Sequence, residues 1–190
     1  MTASTLIRAA RKSRGLTQAQ LAEFTSIDQS RVSRSERGRE TDFGTVERLL
    51  AGVGYRLYSA PTRRDDASTA AVEIRDRLKA GHRELALRSL LQLSDNLKAE
   101  RGLLRGILGL AEPESTGDRV WDAAIAGLVE WRLGEEGLPI PDWVNLPIRF
   151  LDSPSTLGID TADPLPPRSE VPEQFAKRGV LVWRDTFESV

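Results

Sequence analysis

The sequence predicts a mostly α-helical protein built from two units, the second trailing into an irregular proline-rich tail. Three observations carry that expectation. Apolar residues recur at helical spacing in short bursts from Leu6 to Leu50, and again from about residue 68 to 137. Glycines at 15, 38, 52, 81, 117 and 137 stand where those bursts end. Eight of the ten prolines fall between Pro139 and Pro172, where the periodicity is lost and ring-locked residues forbid regular helix.

In the first unit helices are expected at 4–14, 17–24, 28–37 and 43–52. Ser4, Thr17, Asp28 and Asp42 stand as N-caps, and Gln20, three residues after Thr17, completes a capping box. Ile7, Ala10, Leu16, Leu21, Ala22, Val32, Leu49 and Leu50 read as core. The run from Tyr55 to Ala60 alternates apolar and polar residues until Pro61 stops it, which reads as a short strand. A lone strand needs a partner, and a second copy of the chain across a two-fold axis is the economical one. Tyr55, Leu57 and Tyr58 are therefore expected at a homodimer seam.

Residues 1–61 are expected to form one domain, 62–68 a polar linker, and 69–190 a second domain. Its helices are expected at about 68–80, 82–99, 101–111 and 117–137, and Trp121, Ile125, Leu128 and Trp131 or Arg132 share one face. The proline-rich segment 139–172 follows, then one or two helical turns around 173–177 and a strand-like Val180 to Trp183.

Charge divides the chain along the same line. Residues 1–64 carry 12 Lys and Arg against 6 Asp and Glu, net +6, and the remaining 126 carry 15 against 22, net −7. A basic unit of this kind fits a polyanion such as DNA, which the acidic unit repels.

The same composition removes several chemistries. With no cysteine, disulfides, thiolate catalysis and cysteine-bound metals are excluded, and with His82 as the single histidine, histidine metal centres and Ser/His triads are improbable. Asp118 and Asp122 lie one helical turn apart, but without further convergent ligands they read as a solvated face or as partners of a helix N-terminus. No nucleophile, phosphate loop or acid/base pair stands out, so the chain reads as a binder with no cofactor and no metal, not an enzyme. No apolar run reaches the ~20 residues that span a bilayer and the start lacks a secretory pattern, so no membrane partner and a cytoplasmic location are expected.

The text Arg11-Lys12-Ser13-Arg14-Gly15-Leu16-Thr17-Gln18-Ala19-Gln20-Leu21-Ala22, followed by Asp28-Gln29-Ser30-Arg31-Val32-Ser33-Arg34-Ser35-Glu36-Arg37-Gly38-Arg39, closely resembles the phage repressor and Cro (XRE) helix-turn-helix family. The resemblance covers residues 4 to about 54 and implies a lambda-repressor-like bundle whose third helix enters the DNA major groove. Such a reader helix needs short or forked polar side chains on its first exposed turns. Gln29, Ser30, Arg31 and Arg34 fill those places. The resemblance casts Gln18 as a phosphate clamp at the start of the second helix, and Arg14, Arg37 and Arg39 supply basic contacts to the backbone. It also implies a structural ion pair between Arg11 and Glu36, the alternative being that Arg11 is a free phosphate ligand.

Three residues depart from the family pattern. Ser26 stands where a turn glycine is usual, and Thr25 and Ser35 stand at apolar positions. A left-handed serine costs about 1 to 2 kcal/mol. A buried hydroxyl needs a local partner, such as the carbonyl one turn back.

Double-stranded DNA with a palindromic operator, and a second copy of the chain, are therefore the expected partners. Residues Gly117 to Glu130, Pro139 to Trp143 and Phe175 to Val180 resemble segments of bacterial helix-turn-helix regulators encoded beside nucleotidyltransferase-like toxins. That resemblance implies a repressor that is also the antitoxin of a toxin-antitoxin pair, its second domain holding the cognate toxin. A regulator whose second domain senses a small molecule is the alternative. Trp121 and Trp131 read as core, whereas Trp143 and Trp183 stay open between core and partner contact.

Overall fold

A computed structural model of the chain describes residues 2–159 and 164–188, so residues 160–163 of the proline-rich segment lie outside the described residues. The chain divides into two compact units, Met1–Thr62 and Arg63–Val190.

The first unit holds α1 (Ala3–Ser13), α2 (Gln18–Thr25), α3 (Gln29–Glu36) and α4 (Phe43–Ala51). Thr2, two residues before the expected Ser4, caps α1 by accepting from the Thr5 amide. Thr17 and Gln20 form the reciprocal capping box on α2. Asp42 caps α4, whereas Asp28 makes no side-chain cap bond on α3. Ile7, Ala10, Leu21, Ala22, Ile27, Val32, Val46, Leu49, Leu50 and Val53 close a single core, with Leu16, Tyr55 and Leu57 against its edge.

Three of the four helix ends share one device. Gly15, Gly38 and Gly54 adopt positive φ while the next residue donates back to Arg11, Arg34 and Leu50 carbonyls. At the end of α2 the same place is taken by Ser26, at φ 52° and ψ 36°, with Ile27 donating to the Ala22 carbonyl. Ser26 is the one non-glycine residue at positive φ among the described residues. Thr25, buried beside it, donates to the Leu21 carbonyl one turn back at 2.7 Å. Buried Ser35 is satisfied by Thr41, whose hydroxyl lies 3.0 Å away.

The expected strand over 55–60 is absent in the single chain. Tyr55 instead folds back on its own unit, its hydroxyl 2.7 Å from the Ser13 hydroxyl and its ring under the Arg14 guanidinium. A strand needs a ladder partner to satisfy its amides, and this segment has none among the described residues of its own chain.

The second unit starts earlier than expected. Asp66 caps α5 (Ala67–Lys79) through the Thr69 amide, Asn96 donates to the Asp65 carbonyl, and Ala67 and Ser68 are buried. Residues 63–68 thus belong to this unit rather than to a free linker. α6 (Arg83–Ala99) and α7 (Gly102–Leu110) follow, and all three surround α8 (Arg119–Gly134). Every residue of α8 from Trp121 to Val129 is buried, the signature of a helix covered on all sides.

The proline-rich segment supplies part of that cover. It forms 3-10 turns at Asp142–Asn145, Pro147–Arg149 and Arg168–Glu170, and leads into α9 (Glu173–Ala176). Strand β1 (Ser155–Thr156) pairs in parallel with β2 (Val180–Leu181), Ser155 opposite Val180 and Thr156 opposite Leu181. Irregular backbone and helix C-termini leave carbonyls that need partners, and buried side chains supply some of them. Arg178 donates to the Gln174 and Val144 carbonyls and to the Glu130 carboxylate, Arg149 donates to the Pro113 carbonyl, and Trp143 Nε1 donates to the Gly109 carbonyl at 3.0 Å. Among the described residues, no helix is long and apolar enough to cross a membrane.

Candidate nucleic-acid interface

The geometry of α3 follows from which of its faces the core consumes. Val32, Ser35 and Glu36 point inward, while Gln29, Ser30, Arg31 and Arg34 are exposed, with Arg37 exposed just past the helix end. A helix of period 3.6 places Ser30, Arg34 and Arg37 on the side opposite Val32, with Gln29 and Arg31 on its two flanks. The helix is therefore pinned by one stripe and presents short and forked polar groups on the other.

Glu36 is the pin. Arg11 Nε and Nη2 bond its two carboxylate oxygens at 2.7 and 3.0 Å, Gln18 Nε2 adds a third bond at 2.8 Å, and Arg8 donates to its backbone carbonyl. Burial at 2% exposure pushes this carboxyl up, but the Arg11 and Gln18 hydrogen bonds and the charges of Arg11 and Arg8 outweigh it, so Glu36 titrates below its ordinary value. Arg11 also donates to the Leu16 carbonyl at 2.6 Å. One bidentate pair thus joins α1, the α1–α2 turn and α3.

Gln18 lies at the N-terminus of α2 but spends one of its two amide N–H donors on Glu36. Arg14 is turned to the end of α4, donating to the Val53 carbonyl at 3.0 Å. Arg37 folds over its own helix onto Ser33, Arg34 Nε bonds the Ser30 carbonyl, and Arg39 is exposed. Basic side chains lying on exposed backbone in this way are available to phosphate at little cost.

Arg31 is held differently. Its Nη2 donates to Asp42 Oδ2 at 3.0 Å and to Thr45 Oγ1 at 2.8 Å. Asp42 in turn accepts from the Thr45 hydroxyl at 2.7 Å and amide at 2.9 Å, bonds that hold its carboxyl below the ordinary range. Sequence reasoning had no signal for this contact beyond the identity of Asp42 as an N-cap.

In the second unit, Trp143 is a core residue with 5% of its surface exposed, and Trp183 is half-buried. Trp121 is fully buried, as expected, and Trp131 packs edge-on against Phe175 and Phe187. Asp122 is buried and accepts from Ser115 and Thr116, which it ties into the turn before α8, so its role is structural. No group of three or more metal-ligating side chains forms among the described residues.

Residues 7–58 match the family model described as Helix-turn-helix. No curated protein and no solved structure matches the chain. The matched span contains all four helices of the bundle from Ile7 onward, with the exposed polar face of α3 at its centre. The N-terminal unit is a helix-turn-helix domain of the XRE type, the DNA-binding part of a transcription regulator.

Proposed function

We propose that the chain is an autoregulatory transcriptional repressor that binds a palindromic operator as a homodimer and serves as the antitoxin of a toxin-antitoxin pair. The observation that carries the DNA half is α3, which is pinned by Glu36 and Val32 and leaves Gln29, Ser30 and Arg34 on its outer turns. Gln pairs bidentately with adenine and Arg with guanine, so these side chains read sequence, while Gln18, Arg37 and Arg39 take phosphates.

The antitoxin half is supported by the charge split and by the likeness of segments 117–130, 139–143 and 175–180 to antitoxin-type regulators. The second unit also leaves Leu103 and Leu110 of α7 exposed, apolar surface suited to a protein partner.

Co-expression with the product of the adjacent gene tests the proposal. The full chain is expected to retain that product on an affinity column and to relieve its toxicity. A chain that binds an operator but retains no neighbouring product and relieves no toxicity removes the antitoxin half. A chain that prefers no duplex removes the repressor half.

A further inference from the structure

The contact between Arg31 and the start of α4 changes what α3 is able to read. A guanidinium has two edges that grip an acceptor pair with two prongs, Nη1 with Nη2 and Nε with Nη2, and both require Nη2. That nitrogen of Arg31 is the one engaged by Asp42 and Thr45.

The partners are not equivalent to a passing surface ion. Asp42 is fixed by two bonds from Thr45, whose side chain is itself buried, so the acceptors stand in place before Arg31 arrives. A carboxylate also makes a stronger bond to guanidinium than the neutral oxygen and nitrogen of a guanine edge do. An exposed ion pair alone contributes little. Beside DNA, however, releasing Arg31 would leave the Asp42 charge facing a polyanion without its counter-charge, which favours keeping the pair.

We propose that Asp42, seated on Thr45, is a positioning residue that holds Arg31 off the bases and thereby confines base reading by α3 to Gln29, Ser30 and Arg34. The inference rests on the reading of α3 as the groove helix. Arg31 then neutralises the acid at the flank of the interface and adds no sequence preference. Asp42 acts as a filter, since a free arginine at this position would demand guanine.

The test measures binding of the full chain to its selected operator and to every single-base variant of it. Arg31→Ala is expected to change affinity by a similar factor across all variants. Asp42→Asn retains an N-cap of equal quality but replaces the accepting oxygen with a donor or a neutral carbonyl. It is expected to create a new guanine preference of about 5- to 150-fold at one position, the range of a good bidentate pair. That preference should vanish in the Asp42→Asn, Arg31→Ala double variant. Thr45→Val preserves net charge and shape, and should shift the same position in the same direction, which a pure charge effect would not do. Melting curves confirm that each variant folds.

If Arg31→Ala in the natural chain relaxes preference at one base pair, Arg31 already reads DNA and the inference is overturned. It is equally overturned if Asp42→Asn scales all affinities alike, or if its new preference survives loss of Arg31. A natural chain with no preferred duplex overturns the groove reading itself.

Discussion

Ser26 shows how a single residue departs from the local rule and is still accommodated. It occupies the left-handed position that glycine fills at the ends of α1, α3 and α4. The strain of an L-residue there is about 1 to 2 kcal/mol, while glycine gives back about 0.5 to 1 kcal/mol through the greater freedom of its unfolded chain. Ser26→Gly is therefore expected to stabilise the first unit by about 0.5 to 1 kcal/mol, read as a higher denaturation midpoint at unchanged slope. An unchanged or lower midpoint would mean that the serine hydroxyl contributes something the backbone geometry does not reveal. Glu36 is the opposite case, a residue whose charge the fold requires. Its folded value lies below the ordinary 4.5. Its contribution is thus fully present above 4.5 and is lost as pH falls through the lowered value. Glu36→Gln leaves Arg11 without its counter-charge and should cost about 3 kcal/mol near neutral pH. Thermal melts from pH 7 to 3 should show the natural chain losing stability below 4.5 more steeply than the variant.

Among the elements, the junction between α2 and α4 is closely packed at Gly52. A Cβ placed on Gly52 would lie 2.2 Å from the Thr25 methyl. Gly52→Ala is expected to destabilise the bundle by about 1 to 3 kcal/mol through overpacking. Thr25→Ser deletes that methyl but keeps the hydroxyl on the Leu21 carbonyl, so it should recover most of the loss when combined with Gly52→Ala. Additive losses in denaturant titrations would place the strain elsewhere. The four helices of the first unit were legible because each is governed locally. Thr17 with Gln20 writes its cap in four residues, and Thr25 satisfies its hydroxyl within its own helix. The elements that escaped depend on partners far along the chain. β2 falls within the strand-like Val180 to Trp183, but β1 is two residues long and nothing in Ser155–Thr156 announces it or its mate. The cover over α8 rests on Arg178, Arg149 and Trp143 reaching carbonyls more than 30 residues away, contacts that no periodicity records. The contact of Arg31 with Asp42 escaped for the same reason, since an N-cap eleven residues later gives no hint that it reaches back.

At the scale of the whole molecule the distribution of charge sets how the chain meets DNA. If the chain binds as the proposed homodimer and roughly six phosphates are neutralised per bound dimer, log affinity should fall against log salt with a slope near −5. Arg39→Ala should make that slope shallower by about one per copy bound without altering base preference, because a phosphate contact carries no sequence information. Half-site spacing then depends on how two copies meet. Tyr55 is committed to Ser13 and Arg14, and Leu57 packs against the core edge, but Tyr58 is 84% exposed. A large aromatic with its ring in water just past the bundle is what a dimer seam over 55–60 would bury. Tyr58→Asp places two like charges across such a seam, while leaving the Tyr55 and Leu57 contacts within each copy undisturbed. Sedimentation of the full chain at micromolar concentration should then shift from dimer to monomer. Operator affinity should fall and half-site affinity should not, since each copy keeps its own α3. An unshifted boundary with intact operator binding would place the two-fold contact outside residues 55–60.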